Sequence, residues 1–120
     1  MTSAFPKGTF VVLYIREPRE KIWGVLHDLN PAGVAIRGIE LRSFDDWLRD
    51  RMQENPEGIT PSLTFYPLAR VEKILADEDS DGVPSLAEQV RARTGREAAE
   101  LLENAVGPVA SRPGQSASAV

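Results

Sequence analysis

The stretch Lys21-Ile22-Trp23-Gly24-Val25-Leu26-His27-Asp28-Leu29 decides how this chain folds. β-Branched and aromatic side chains dominate its first half, and Asn30-Pro31-Ala32-Gly33 closes it, so it reads as a strand running into a turn. Gly24 interrupts it. A glycine inside a strand marks a sharp bend or a close approach of backbone, so a sheet built on this strand curves. Upstream, Thr9-Phe10-Val11-Val12-Leu13-Tyr14-Ile15 is apolar on both alternating faces, which places it inside a curved sheet, covered on both sides. Arg16-Glu17-Pro18-Arg19-Glu20 is the charged loop between these two strands. Downstream, Val34 to Leu41 is a third strand.

The hydrophobic period then changes from two to 3.6. Phe44, Trp47, Leu48 and Met52 share one helical face, Ser43 stands as N-cap, and Asp45 and Asp46 occupy the first turn, where the helix dipole favours negative charge. Asn55-Pro56 ends this helix. Thr60 to Pro67 is a fourth strand and Arg70 to Leu75 reads as a fifth, although its length also permits a helical turn. Two short helices follow, each opened by a capping box, Ser85 with Glu88 and Thr94 with Glu97. Ala98, Leu101, Leu102 and Ala105 form an apolar stripe on the second, and Gly107-Pro108 stops it. Residues 109–120 have almost nothing to bury and read as disordered.

Bulk composition narrows the function. With 42% hydrophobic and 27% charged residues the chain is an ordinary globular domain, and its 0 Cys exclude disulfides, thiolate catalysis and cysteine-bound zinc. The N-terminus shows no apolar run of signal-peptide type, and Phe10 to Ile15 is far too short to span a bilayer, so a cytoplasmic protein with no membrane partner is expected. The 14 Lys and Arg and 18 Asp and Glu leave a net charge of −4. Residues 1–76 are balanced, with ten of each sign, so the whole excess lies in residues 77–120. That is the wrong sign for a general nucleic-acid sleeve.

Three consecutive strands with Gly24-Val25-Leu26 in the second, a tight turn, an insertion after the third strand and two further strands resemble the Sm-like (LSm) small β-barrel family over residues 8–76. SH3-like barrels share the pattern. The expected fold is therefore mainly β, of α+β type. It is a closed five-stranded Sm-like or SH3-like barrel over 1–76, with a helix at 43–54 inserted between strands 3 and 4. An acidic turn and two short C-terminal helices follow over 77–107, then a disordered tail over 108–120. The resemblance implies ring or partial-ring assembly through the fourth and fifth strands, and RNA contacts from loops near Asn30 to Val34 and near Pro67 to Arg70. Where the family has an aspartate and a Met-Asn pair, this chain has Asn30, Gly33 and Val34; its Arg-Gly step is reduced to Arg70.

The chemistry-bearing residues are few. His27 is the one histidine, and neighbours in a strand point to opposite faces, so His27 and Asp28 do not form a base and its orienting acid. No nucleophile-elbow, Walker or dinucleotide glycine pattern is present. The expectation is a non-enzyme with no catalytic residue and no cofactor. Contacts to RNA or a partner would come from Arg16, Arg19, Lys21, His27, Asn30 and Arg70. Residues 77–88 satisfy D-x-D-x-D-G-x5-E, the spacing of an EF-hand calcium loop: Asp77, Asp79 and Asp81 would each give a carboxylate oxygen, Val83 its carbonyl, and Glu88 a bidentate carboxylate. A solvated acidic turn, with Glu88 serving the Ser85 capping box, explains the same string. Trp23, Trp47, Phe65 and Tyr66 read as core, with base stacking the other option. Three functions remain open: a homo-oligomeric interaction module that contacts RNA through loops, a protein scaffold that recruits a partner through its C-terminal helices, and a calcium-binding module.

Overall fold

Alternation along β1 (Phe10–Ile15) sends Val11, Leu13 and Ile15 to one face and Phe10, Val12 and Tyr14 to the other. In the computed structural model, which describes residues 5–53 and 58–103, both faces find cover. β1 lies inside an antiparallel five-stranded sheet with β2 (Glu20–Asn30), β3 (Gly33–Glu40), β4 (Ser62–Pro67) and β5 (Val71–Ala76), in the order β4-β3-β2-β1-β5. Each strand lies within two residues of its expected limits.

The sheet is strongly curved, and its connections require it. A flat sheet would hold β4 and β5 roughly 19 Å apart, four spacings of about 4.8 Å. Only Leu68–Arg70, one 3-10 turn, joins them, and three residues reach at most about 14 Å from the strand before to the strand after. Gly24 pairs with Gly38, a point of close backbone approach of the kind that lets a strand bend. A Cβ on Gly24 would collide with the Arg37 carbonyl, and one on Gly38 with the Trp23 carbonyl. On the concave face Val11, Leu13, Ile22, Leu26 and Ile36 form one cluster. Tyr66 from β4 and Ile74 from β5, at opposite ends of the sheet, both pack against it.

The wall is not closed, however. Among the described residues no ladder joins β4 to β5, so both are edge strands. The reason is legible in β4, whose concave face carries Ser62 and Thr64 opposite Gly38 and Ile36. Hydroxyls gain nothing from burial against Ile74, so this part of the face stays open to water.

The convex face is covered by helices: α1 (Phe44–Met52), which follows a 3-10 turn at Leu41–Ser43, then α2 (Leu86–Thr94) and α3 (Ala98–Glu103). Trp23 is fully buried among Val25, Phe44, Trp47, Leu101 and Leu102. Its ring meets Phe44 edge-on at 5.2 Å and lies 5.6 Å from Trp47. The apolar stripe of the last helix, Ala98, Leu101 and Leu102, is thus covered by the chain's own sheet.

Caps depart from expectation in three places. Ser43 precedes α1, but its side chain makes no cap bond. Ser85 does cap α2, accepting from the Glu88 N–H at 3.0 Å, while the Glu88 carboxylate turns outward to Arg91 at 2.8 Å. Thr94 opens no helix. It is the last residue of α2, because Gly95 (φ 75°) takes the left-handed conformation that ends a helix, and its hydroxyl donates to the Val90 carbonyl at 2.7 Å. The expected stop at Asn55-Pro56, Ala105, Gly107-Pro108 and the tail lie outside the described residues. No helix among the described residues is long and apolar enough to cross a membrane.

Candidate functional site

Among the described residues β4 and β5 are the free edges, and both carry apolar side chains, on β5 beside the charged Glu72 and Lys73. On β4, Leu63 and Phe65 point to the convex side and are each 51% exposed, beyond the reach of the helices that cover β1 to β3. On β5, Leu75 is 42% exposed on the same side, opposite Val12. An unpaired edge presents a row of backbone donors and acceptors, and natural sheets usually blunt such edges with charge or proline. β4 has a proline only at its last position, Pro67. Of the four aromatics weighed as core, Trp23 and Trp47 are fully buried, Tyr66 is partly covered and Phe65 stands half in water.

The Leu68–Arg70 link brings loops together. The Leu68 N–H donates to the Ala32 carbonyl at 3.0 Å, and the Arg16 N–H to the Arg70 carbonyl at 2.9 Å, so the β2–β3 turn and the β1–β2 turn are tied to the same link. Arg70 also donates from Nε to the Arg16 carbonyl at 2.9 Å, and its guanidinium lies 5.7 Å from the Tyr66 ring. Asn30 holds its own turn: Oδ1 accepts from the Ala32 N–H at 2.8 Å, and Nδ2 donates to Asp28. Arg19 and Lys21 sit at the β1–β2 turn, where Lys21 Nζ is 5.1 Å and Lys73 Nζ 4.6 Å from the Tyr14 ring centre. Arg16, Arg19, Lys21 and Arg70 thus gather at one end of the sheet, whereas His27 lies apart.

His27 occupies a bulge. Leu26 pairs with Ile36 and Asp28 with Ala35, which leaves His27 as the extra residue. A bulge suspends strict alternation, so opposite orientation is not what separates His27 from Asp28. Each has another partner: Asp28 takes Asn30, and His27 Nε2 lies 2.7 Å from Glu103 Oε2. Arg37 Nε is 3.1 Å from the other oxygen of Glu103. These contacts fasten the last turn of α3 to β2 and β3, where a carboxylate at the negative helix end needs cationic company.

The acidic segment is organised as a helix support. Asp77 accepts from the Trp23 indole N–H at 3.1 Å and from the Leu86 and Ala87 N–H groups at 2.8 and 3.0 Å. Asp79 accepts from the Ser85 N–H at 2.8 Å, and the Val83 carbonyl from the Ser80 N–H at 2.9 Å. Asp81 and Gly82 turn the chain in left-handed conformations. Four of the five groups of the calcium reading, Asp77, Asp79, Val83 and Glu88, thus have protein partners, and among the described residues no three His, Cys, Asp or Glu converge as metal ligands.

No family model, curated protein or solved structure matches this chain. A polar groove of about 430 Å3 opens on the concave side over Ile22 and Ile36, walled by Glu20, Glu40, Thr64 and Tyr66. Burial holds the Tyr66 phenol above its ordinary pKa; Glu20 and Glu40 push the same way, and Arg70 opposes them. The phenol thereby stays neutral to a higher pH than a free tyrosine. Sequence reasoning missed Gly38, Arg37, Glu103 and the Tyr14–Lys73 contact. Each matters only through a partner distant in sequence, and only Gly38, a second glycine at strand spacing, left any signal.

Proposed function

We propose that the protein is a non-catalytic interaction module of the Sm-like type that works as an oligomer, its open sheet edges pairing between copies. The observation that carries this reading is the pair of unpaired edges, β4 with half-exposed Leu63 and Phe65 and β5 with Leu75. Strand addition across such edges satisfies backbone groups and buries those side chains together. The same two strands are the ones through which the family resemblance implies assembly. RNA contact through the loops is the second element. The Leu68 to Ala32 bond sets the two implicated loops side by side, with Arg16 and Arg70 next to them. The scaffold alternative has less to stand on, because the C-terminal stripe is buried by its own sheet.

Light scattering over a range of protein concentrations tests the assembly. A mass of several chains that falls on Phe65→Lys is expected, and a monomer throughout overturns the reading. Filter binding with a mixed RNA pool tests the loops; binding should fall steeply with salt if phosphates are neutralised. No retention at low salt removes the RNA element and leaves the assembly standing.

A further inference from the structure

β1 is six residues long, about 20 Å at strand rise, and different loops flank its two ends. At the end marked by Phe10, the chain leaves β5 and forms a tight hairpin. The Asp77 N–H donates to the Phe10 carbonyl at 2.9 Å, and Ser80 and Val83 exchange two backbone bonds of 2.9 and 2.8 Å around Asp81 and Gly82. Asp77 and Asp79 accept from backbone amides and fix the base of this hairpin. Glu78 and Asp81 are exposed, and among the described residues neither lies within ion-pair distance of a cation. Val83 beside them is 59% exposed.

At the other end of β1, beside the β1–β2 turn, lies a depression of about 560 Å3. Pro18 and Leu41 give it apolar surface, and Arg19, Lys21 and Arg42 contribute cations. Arg42 is held by Glu40 at 2.6 Å, and Glu20 is the other acid present. Arg19 and Lys21 are exposed and face no carboxylate at ion-pair distance among the described residues, and Lys73 joins Lys21 across the Tyr14 ring.

We infer that the acidic hairpin tip of one copy, Glu78, Asp81 and Val83, docks into the Arg19–Lys21 depression of a second copy, head to tail. The tip offers an apolar side chain flanked by two carboxylates; the depression offers apolar surface flanked by unpaired cations. Within one molecule the length of β1 separates the two, so a contact between them joins two chains. Such a contact is heterologous, and repetition of it builds a ring or a filament. Complementary charge of this kind governs register and encounter rate, and it weakens as salt rises.

This inference rests on the oligomeric reading above, and a charge-swap experiment separates the two. Light scattering and sedimentation are run on the wild type, on Glu78→Lys with Asp81→Asn, and on Arg19→Glu with Lys21→Glu, with circular dichroism to confirm that each is folded. Each variant alone should associate at least about tenfold more weakly, since like charges placed across an interface cost several kcal/mol. An equimolar mixture of the two variants should regain association, because the reversed tip then meets the reversed depression. Variants that associate like the wild type, or a mixture that regains nothing, overturn the tip-to-depression contact while edge pairing stands. A wild type that stays monomeric overturns both.

Discussion

The two faces of this sheet are buried by different means. On the convex side, separate elements supply the cover: α1 brings Phe44, Trp47 and Leu48, and α3 brings Leu101 and Leu102, onto Trp23 and Val25. On the concave side the sheet covers itself, with Val11, Leu13, Ile22, Leu26 and Ile36 meeting across the curved strands, in which Gly24 pairs with Gly38. Cover by helices needs only a matching apolar face. Cover by curvature needs every strand to present an apolar inner side, and β4 presents Ser62 and Thr64. The concave face therefore ends in a polar groove and a free edge, while Leu63, Phe65 and Leu75 stand exposed on the convex side of the two edge strands.

Substitutions should separate these two modes. Trp23→Ala removes the centre of the convex cluster and should cost about 3–5 kcal/mol in urea unfolding, as large-to-small changes at buried aromatic sites do. Gly24→Ala leaves both clusters chemically intact but forces its methyl against the Arg37 carbonyl. A loss of about 1–3 kcal/mol is expected from overpacking, and near-wild-type stability would show that curvature does not depend on this glycine. Asp77→Ala deletes the acceptor shared by the Trp23 indole and two N–H groups of α2, and should cost about 2 kcal/mol, with faster amide exchange at Leu86 and Ala87.

The smallest effect belongs to the groove. Because the folded pKa of Tyr66 is raised, its contribution to stability is present below the ordinary phenol value of 10.0 and is lost as pH rises through the higher folded value. Tyr66 is only partly covered, so solvent screening keeps this contribution small. Tyr66→Phe should flatten the alkaline limb of a stability–pH profile and remove a late-titrating component from the phenolate absorbance. An unchanged alkaline limb would place the phenol in open solvent.

Much of this architecture could be read from single residues. Thr9 to Ile15 is apolar on both faces, so it had to be an interior strand; Gly24 demanded a bend; the shift of period at Phe44 announced a helix. These are local properties, carried by side-chain type and spacing. The sites were less legible. Asp77 belonged to a string that suits calcium, yet its oxygens serve Trp23, 54 positions earlier in the chain, and two amides of α2. His27 paired on paper with no one, and its partner Glu103 lies 76 positions away. Thr94 carried the signature of an N-cap, and the neighbouring Gly95 ended a helix there.

The existence of the five strands, their limits to within two residues and the inserted helix were thus legible in the sequence alone, because alternation, helical period and turn chemistry act over a few residues. Whether the sheet closes, which carboxylates are capped, and which charges gather at each end of β1 were decided by the tertiary structure. Those outcomes depend on groups brought together across the fold, and spacing along a chain carries no record of which distant donor or carbonyl will arrive.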